Sequence, residues 1–112
     1  MKAAERTPQL LDDLHHTLSA AAELASRGRE AYDSDPALPL AFEALSTRVG
    51  ELAKRLVALD PTRFSDTIWS SAARNRDFVV HHYNRIDNDL LWDTVVGAFP
   101  KLHALVAGLR DS

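Results

Sequence analysis

Arginine, histidine and tyrosine side chains are concentrated between residues 74 and 85 of the chain. This stretch contains, in order, Arg74, Arg76, His81, His82, Tyr83 and Arg85. A guanidinium is permanently charged and binds phosphate with a rigid fork of donors, and an imidazole exchanges protons near neutral pH. Together these groups suffice for metal-free cleavage of RNA, in which the ribose 2′-OH attacks the neighbouring phosphate. The stretch is therefore a candidate active site.

A solvated helix end would contain the same residue types. The three arginines would then form surface ion pairs with Asp66, Asp77 and Asp87, which is the common arrangement of charged residues on exposed helix faces. Residue types and spacing, taken alone, favour this second interpretation.

Other common chemistries lack their residues in this chain. The four glycines stand apart from one another, so there is no glycine-rich phosphate loop, and there is no cysteine. His15-His16 and His81-His82 are adjacent pairs, and adjacent side chains on a helix point about 100° apart rather than to one face. We therefore predict no metal site and no cofactor. The net charge of -3 argues against a protein that binds nucleic acid through its overall charge, so any RNA contact would be local.

Helical spacing of apolar residues organises the first half of the chain. Thr7 as N-cap and Pro8 in the first turn predict a helix that runs to about residue 28. The turn-forming residues 33–39 then separate it from a second helix, which ends at Asp60.

The second half is predicted to hold two more helices. A short connector at Arg63 and Phe64 leads to a third helix over about residues 66–83, which carries most of the candidate site. Asp87 is the expected N-cap of the last helix, and Pro100 should kink that helix or split it in two. With 46% hydrophobic residues in 112, the chain is predicted to form a single all-α domain over residues 1–112, folded as an antiparallel four-helix bundle.

A wider pattern surrounds the candidate site. Residues 76–83, RDFVVHHY, fit an Arg-x4-His-x-Tyr motif, and residues 48–51, RVGE, fit an apolar-Gly-Glu element in the second helix. Further matching positions are Trp69, Ile86, Asp87, Trp92, Phe99, Pro100 and Leu102. In these features the chain, from about Leu10 to Leu105, resembles the HEPN superfamily and specifically the HepT-like toxins.

The resemblance implies a small all-α ribonuclease that works as a homodimer, with the arginine and histidine of the motif gathered in a cleft between protomers. It implies that Arg76 binds the scissile phosphate and that His81 transfers protons, with Arg74, His82 and Arg85 as further RNA contacts. It also implies a partner, a minimal nucleotidyltransferase antitoxin that transfers AMP onto Tyr83. The added phosphodiester would occupy the place of the RNA backbone beside the arginines.

Helix geometry leaves the choice of arginine open. Residues seven apart on a regular helix lie within about 20° of each other around the axis, so Arg74 shares a face with His81. Arg76 and His81, five apart, diverge by about 140°. Either the helix ends near His81, or a second protomer completes the pair, or Arg74 is the phosphate-binding residue.

Two rival functions remain. The first is a non-catalytic HEPN module that binds a partner or nucleotide, as half of a nucleotidyltransferase pair, without cleaving RNA. The second is a purely structural helical dimer with solvated charges. The N-terminal residues lack the apolar core of a signal peptide, and no apolar run approaches the roughly 20 residues of a membrane span, so we expect a cytoplasmic protein without membrane contact.

Overall fold

The computed structural model describes the backbone of residues 3–81 and 87–111, and the side chains of residues 6–74 and 87–111. All regular secondary structure in these residues is helical. The elements are α1 (Ala3–Ala25), α2 (Arg29–Ser34), α3 (Ala37–Leu59), α4 (Thr67–His81), α5 (Asn88–Asp93) and α6 (Phe99–Arg110), with a π-helical segment (Thr94–Ala98) joining α5 to α6.

The helices pack as a bundle. α3 lies between α1 and α4 and also contacts α5, while α1 packs against α6. α1 and α6 run in opposite directions, because Arg110 contacts Asp12 and His103 contacts Ser19. The expectation of an all-helical bundle is therefore confirmed. The helix count was too low for the described part of the chain, since α2 was not predicted as a helix.

Apolar stripes on the long helices meet in one core. Leu14, Leu18, Phe42, Leu56 and Val106 are each no more than 1% exposed. Burying such a side chain contributes roughly 1.5–3 kcal/mol to folding, so this cluster outweighs any surface contact. These five positions follow the helical spacing of apolar residues, whereas Ala22, which the same spacing predicted on the apolar face of the first helix, is exposed.

The predicted start of the first helix was wrong. α1 begins at Ala3, and Pro8 lies inside it. A proline lacks a backbone N–H and so removes one helical hydrogen bond. Pro8 lies in the second turn of α1, and its neighbour Thr7 is 5% exposed.

The turn between α1 and α2 depends on Gly28. Its backbone has φ 93° and ψ 164°, a region that is essentially restricted to glycine. The chain can therefore leave α1 and enter α2 within three residues. α2 buries Tyr32 against the bundle.

The C-terminal helical run has a cap at Asp87 and changes its helix type beside Pro100. The Asp87 carboxylate accepts hydrogen bonds from the backbone N–H groups of Asp89 and Leu90, at 3.1 and 3.0 Å, which confirms it as an N-cap. Pro100 lies in the first turn of α6, directly after the π-helical segment. There the Phe99 N–H donates to the Thr94 carbonyl, five residues back. The run thus changes from α- to π-helical hydrogen bonding just before Pro100 and continues through the proline without a break.

The same run comes closer to a membrane span than we expected from the sequence. By length and composition alone, Asn88–Arg110 could cross a membrane, with a mean hydropathy of 1.2 in its most apolar window. A core helix passes the same test, and Leu91, Val95, Phe99 and Leu102 of this run lie in the core of the bundle. The length and composition of this run are therefore only weak evidence that the protein contacts a membrane.

Candidate functional site

The first turn of α4 is anchored to the core. Asp66 caps the helix, because its Oδ1 accepts a hydrogen bond from the Ile68 N–H at 3.0 Å. Trp69 is 1% exposed and packs edge-on against the Phe64 ring, with the ring centres 4.9 Å apart. The rest of α4 thus continues from a first turn that is anchored to the core.

Arg74 is the last residue of α4 whose side chain is described. It is exposed, and its Nη2 lies 3.3 Å from the Ser71 Oγ. It forms no ion pair with a carboxylate of the described residues. Of the three carboxylates considered above, Asp66 caps α4 and Asp87 caps α5, and the side chain of Asp77 is outside the described set. An exposed guanidinium without a carboxylate partner is available to an anionic ligand.

The backbone of α4 continues as a helix through positions 76 and 81. The side chains of Arg76 and His81 are outside the described set, and His82, Tyr83 and Arg85 lie outside the described residues altogether. Since the helix includes position 81, positions 74 and 81 are two turns apart on one side, and positions 76 and 81 are about 140° apart around the axis. Within a single protomer, position 81 thus lies on the same side of α4 as position 74 and not on the side of position 76.

Three small residues of α3 are buried in the bundle. Ser46, Gly50 and Ala53 are buried on α3, the helix against which α4 packs, whereas Arg48 and Glu51 are exposed. The apolar-Gly-Glu element thus contributes packing through Val49 and Gly50. Its two charged residues face away from the core.

The chain that follows the candidate site is held by α2. The Tyr32 hydroxyl donates a 2.8 Å hydrogen bond to the Asn88 carbonyl. Arg29 binds the carboxylates of both Asp33 and Asp89, and its guanidinium carbon lies 5.7 Å from the centre of the Trp92 ring. These contacts join α2 to the first turns of α5.

Arg29 and Tyr32 are residues that we did not select from the sequence. The available signals were the four-residue spacing of Arg29 and Asp33 after a glycine and the single tyrosine between them. The hydrogen bonds that Arg29 donates to Asp89 and Asp33 raise the pKa of its guanidinium. Burial raises the pKa of the Tyr32 phenol, so its hydroxyl keeps the proton that it donates.

A second group of polar side chains lies where α1 meets α6. The His103 Nε2 is 3.2 Å from the Ser19 Oγ, and the rings of His15 and His103 are 4.8 Å apart. Burial, and next the nearby Arg110 charge, lower the pKa of His15. No described third group orients His103 as a base, and no three potential metal ligands come together among the described side chains. This group has the residues for neither a catalytic triad nor a metal site.

A cavity of about 470 Å³ lies between α1 and α3, away from the candidate residues. Its charged lining is mixed, with Arg6 and Arg55 beside Asp13. It contains no histidine, cysteine or serine that could act as base or nucleophile. We therefore keep α4 and the chain that follows it as the candidate site.

Comparison with known proteins finds a family and two distant relatives. A family model described as "Ribonuclease HepT-like" matches residues 14–109. A curated relative from Caldanaerobacter subterraneus subsp. tengcongensis, named "Putative RNase", is 29% identical over 77 residues, which is 69% of each chain. A relative from Methanocaldococcus jannaschii, also named "Putative RNase", is 33% identical over 52 residues, which is 46% of this chain and 43% of the relative. No solved structure matches the chain.

Proposed function

The chain belongs to the HepT-like ribonuclease family, and from this premise we propose that it is a metal-independent endoribonuclease and the toxin of a toxin–antitoxin system. The observation that supports this most is the match over residues 14–109, which includes the whole of α4 and its Arg-x4-His-x-Tyr motif. The exposed Arg74 on the same helix, which has no carboxylate partner among the described side chains, would add a phosphate-binding group. We place this activity in the cytoplasm, without a membrane.

In the proposed reaction, His81 removes the proton of the ribose 2′-OH as that oxygen attacks the adjacent phosphorus. A 2′-O–P bond forms and the P–O5′ bond breaks, which yields a cyclic phosphate, and the leaving 5′-oxygen takes up a proton. Arg76 stabilises the charge that develops on the phosphate oxygens. His82 and Arg85 contribute further contacts to the RNA. No metal or cofactor takes part.

A second copy of the chain completes the site in this proposal. Arg76 and His81 are five residues apart on a helix that continues through both positions, so one protomer separates them by about 140°. In a homodimer, Arg76 of one protomer can act with His81 of the other. Arg74 offers the alternative that needs only one chain.

Neutralisation would occur at Tyr83. The proposed antitoxin is a minimal nucleotidyltransferase that transfers AMP from a nucleoside triphosphate to the phenol oxygen and releases pyrophosphate. The product adds a negative charge and acceptor oxygens close in sequence to the arginines. It would therefore compete with the RNA backbone for the same cations.

Cleavage of RNA in EDTA tests the activity. The purified protein should cleave tRNA or mRNA, and His81→Ala should abolish cleavage. His16→Ala is the matched control, because His16 is an exposed histidine on α1 outside the proposed site. Cleavage that does not depend on His81 would contradict the proposal. RNA binding without cleavage would favour a non-catalytic HEPN module.

Intact mass after co-expression with the nucleotidyltransferase tests the regulation. The mass should rise in AMP-sized steps, and Tyr83→Phe should remove the increase. The chain has two tyrosines, and the other, Tyr32, is 2% exposed, so Tyr32→Phe should leave the increase in place. An unchanged mass of the unaltered protein would mean that the antitoxin acts by simple occlusion or that the assignment is wrong.

A further inference from the structure

The cavity of about 470 Å³ between α1 and α3 opens where the start of α1 meets the end of α3. Sites for small molecules usually measure roughly 300–1,000 Å³, so this cavity has room for a ligand of modest size. All of its lining residues have described side chains, and none of them belongs to α4 or to the chain that follows α4. The cavity is therefore separate from the candidate ribonuclease site.

Two arginines from different helices line this cavity. Arg6 lies near the start of α1 and Arg55 near the end of α3, and both side chains are exposed. Neither forms an ion pair with a carboxylate of the described residues, whereas Arg27, Arg29 and Arg110 each do. Carboxylates are not scarce, since the chain has 16 acidic against 13 basic side chains. An anion bound between the two guanidiniums would offset their mutual repulsion.

The other polar groups of the cavity lie on α1. Asp13 is half-buried, and its carboxylate pairs with neither Arg6 nor Arg55. It leaves the lining with two cations against one anion. Gln9 adds an amide that can donate and accept hydrogen bonds. The charged lining therefore favours an anion, and one compact enough to keep its charge away from Asp13.

Apolar side chains complete the lining. Leu10 of α1 and Leu59 of α3 are half-buried, and Ala58 lies beside them. A ligand with an apolar part would remove this surface from water, which a bare inorganic anion does less well. A guanidinium offers a planar fork of donors that matches phosphate oxygens. The lining as a whole thus fits a phosphate group that is joined to an apolar or aromatic body.

We propose that this cavity binds a small phosphate monoester, with the phosphate between Arg6 and Arg55 and the organic part against Leu10 and Leu59. The inference does not depend on the proposed ribonuclease activity, because neither arginine takes part in the proposed cleavage. It adds a ligand-binding site at a place in the bundle that the candidate site does not use.

Calorimetric titration of the full chain at low salt tests the proposal. Phenyl phosphate should bind about tenfold more tightly than inorganic phosphate, because its ring buries apolar surface. AMP is the third probe and identifies the source of the phosphate. Affinity for AMP equal to that for phenyl phosphate would indicate a nucleotide, and weaker binding of AMP would indicate a phosphate monoester with a smaller body.

Two variants remove the proposed phosphate contacts. Arg6→Gln and Arg55→Gln should each weaken phenyl phosphate binding by about tenfold, the effect of losing a hydrogen bond to a charged group. Arg48→Gln is the matched control. Arg48 is an exposed arginine seven residues before Arg55 and on the same side of α3, but it does not line the cavity. Its replacement should leave the affinity unchanged.

Asp13→Asn tests the same location from the opposite sign of charge. Inorganic phosphate should bind this variant more tightly, because the one carboxylate of the lining no longer repels it. An affinity equal to that of the unaltered protein would place the phosphate outside this cavity and overturn the inference.

Amide chemical shifts locate the ligand and show that each variant is folded. Phenyl phosphate should shift the Leu10 and Ala58 amides of the unaltered protein. No binding of phenyl phosphate, or full affinity in both Arg6→Gln and Arg55→Gln, would overturn the inference. Binding that is lost only in Arg74→Gln would place the phosphate on α4, which would also overturn the inference but leave the proposed function intact.

Discussion

Arg74 differs from Arg27, Arg29 and Arg110 in having no carboxylate partner in the described part of the chain. An ion-paired arginine must give up its partner before it binds phosphate, whereas Arg74 gives up a weak contact with a serine hydroxyl. Its position seven residues before His81 also places it on the same side of α4. Under the proposed function, these two properties make Arg74 a described side chain that we expect to contact RNA.

Replacement of Arg74 should therefore lower catalysis. We expect Arg74→Gln to reduce kcat/KM by about 10²-fold, the range typical of losing one group that stabilises a developing oxyanion. The measurement is steady-state cleavage of an RNA oligonucleotide, with Arg76→Gln alongside and Arg27→Gln as the control for charge. A full rate in Arg74→Gln, with loss only in Arg76→Gln, would exclude Arg74 from the chemistry.

His15 should make stability depend on pH. Burial and the neighbouring Arg110, His103 and His16 disfavour its protonated form, while Asp12 acts in the opposite direction, so its pKa in the folded chain lies below the ordinary 6.5. On lowering the pH through about 6.5, the unfolded chain takes up the proton first. The stability contributed by neutral His15 is complete above that pH and is lost as the pH falls toward the folded pKa.

The free energy of unfolding in urea, measured between pH 8 and pH 5, tests this assignment. His15→Gln should flatten part of the decline toward acid pH, because glutamine has no proton to gain. A variant whose stability falls with pH as steeply as that of the unaltered protein would show that His15 does not cause the decline.

At the scale of elements, α2 depends on one backbone conformation. The φ of 93° at Gly28 is strained for any residue with a Cβ, although no atom lies within 4 Å of the place where that Cβ would be. The cost of a substitution is therefore conformational, and not a clash. The same turn positions Arg29 and Tyr32 against α5.

Gly28→Ala should lower the free energy of unfolding by about 1–3 kcal/mol. Gly108→Ala is the matched control, since a Cβ there also meets nothing within 4 Å but the residue lies inside α6. Alanine is the better helix former, so the control should gain about 0.5–1 kcal/mol. Urea unfolding of the two variants measures both changes. Equal effects at the two glycines would contradict a conformational role for Gly28.

At the scale of the whole molecule, the proposed site is formed either by one chain or by two chains. Helix geometry separates positions 76 and 81 by about 140° around the axis within one chain and places positions 74 and 81 on one side, two turns apart. We therefore propose that a site made of Arg76 and His81 takes its two residues from two protomers, whereas a site made of Arg74 and His81 lies within one. The two arrangements make opposite predictions for mixed dimers.

Mixed dimers distinguish these arrangements. When Arg76→Gln and His81→Ala chains are refolded together, a shared site predicts that activity returns, because one of the two sites in each mixed dimer is intact. When Arg74→Gln and His81→Ala chains are mixed, a site within one chain predicts no recovery, because every site lacks one group. Cleavage of an RNA oligonucleotide by each mixture, compared with the separate variants, is the measurement.

Local patterns in the chain predicted most of the scaffold. The spacing of Leu14, Leu18, Phe42 and Leu56 predicted helix faces that are indeed buried, because a helix repeats every 3.6 residues. The cap at Asp87 was predictable for a similar reason, since the carboxylate and the N–H groups that it binds are two and three residues apart. The family resemblance, too, rested on motifs of this local kind.

Contacts between distant residues had to come from the tertiary structure. Nothing near Arg29 in the sequence indicates that it binds Asp89, sixty residues away, or that Tyr32 donates to Asn88. The start of α1 upstream of Pro8 was likewise outside what the local pattern predicted. The residue types at the candidate site, and the helix that carries Arg74 through His81, were thus determined by the sequence. Which carboxylate Arg29 binds beyond α2, and what holds the chain beyond the site, depended on tertiary packing, because both are set by residues that only the fold brings together.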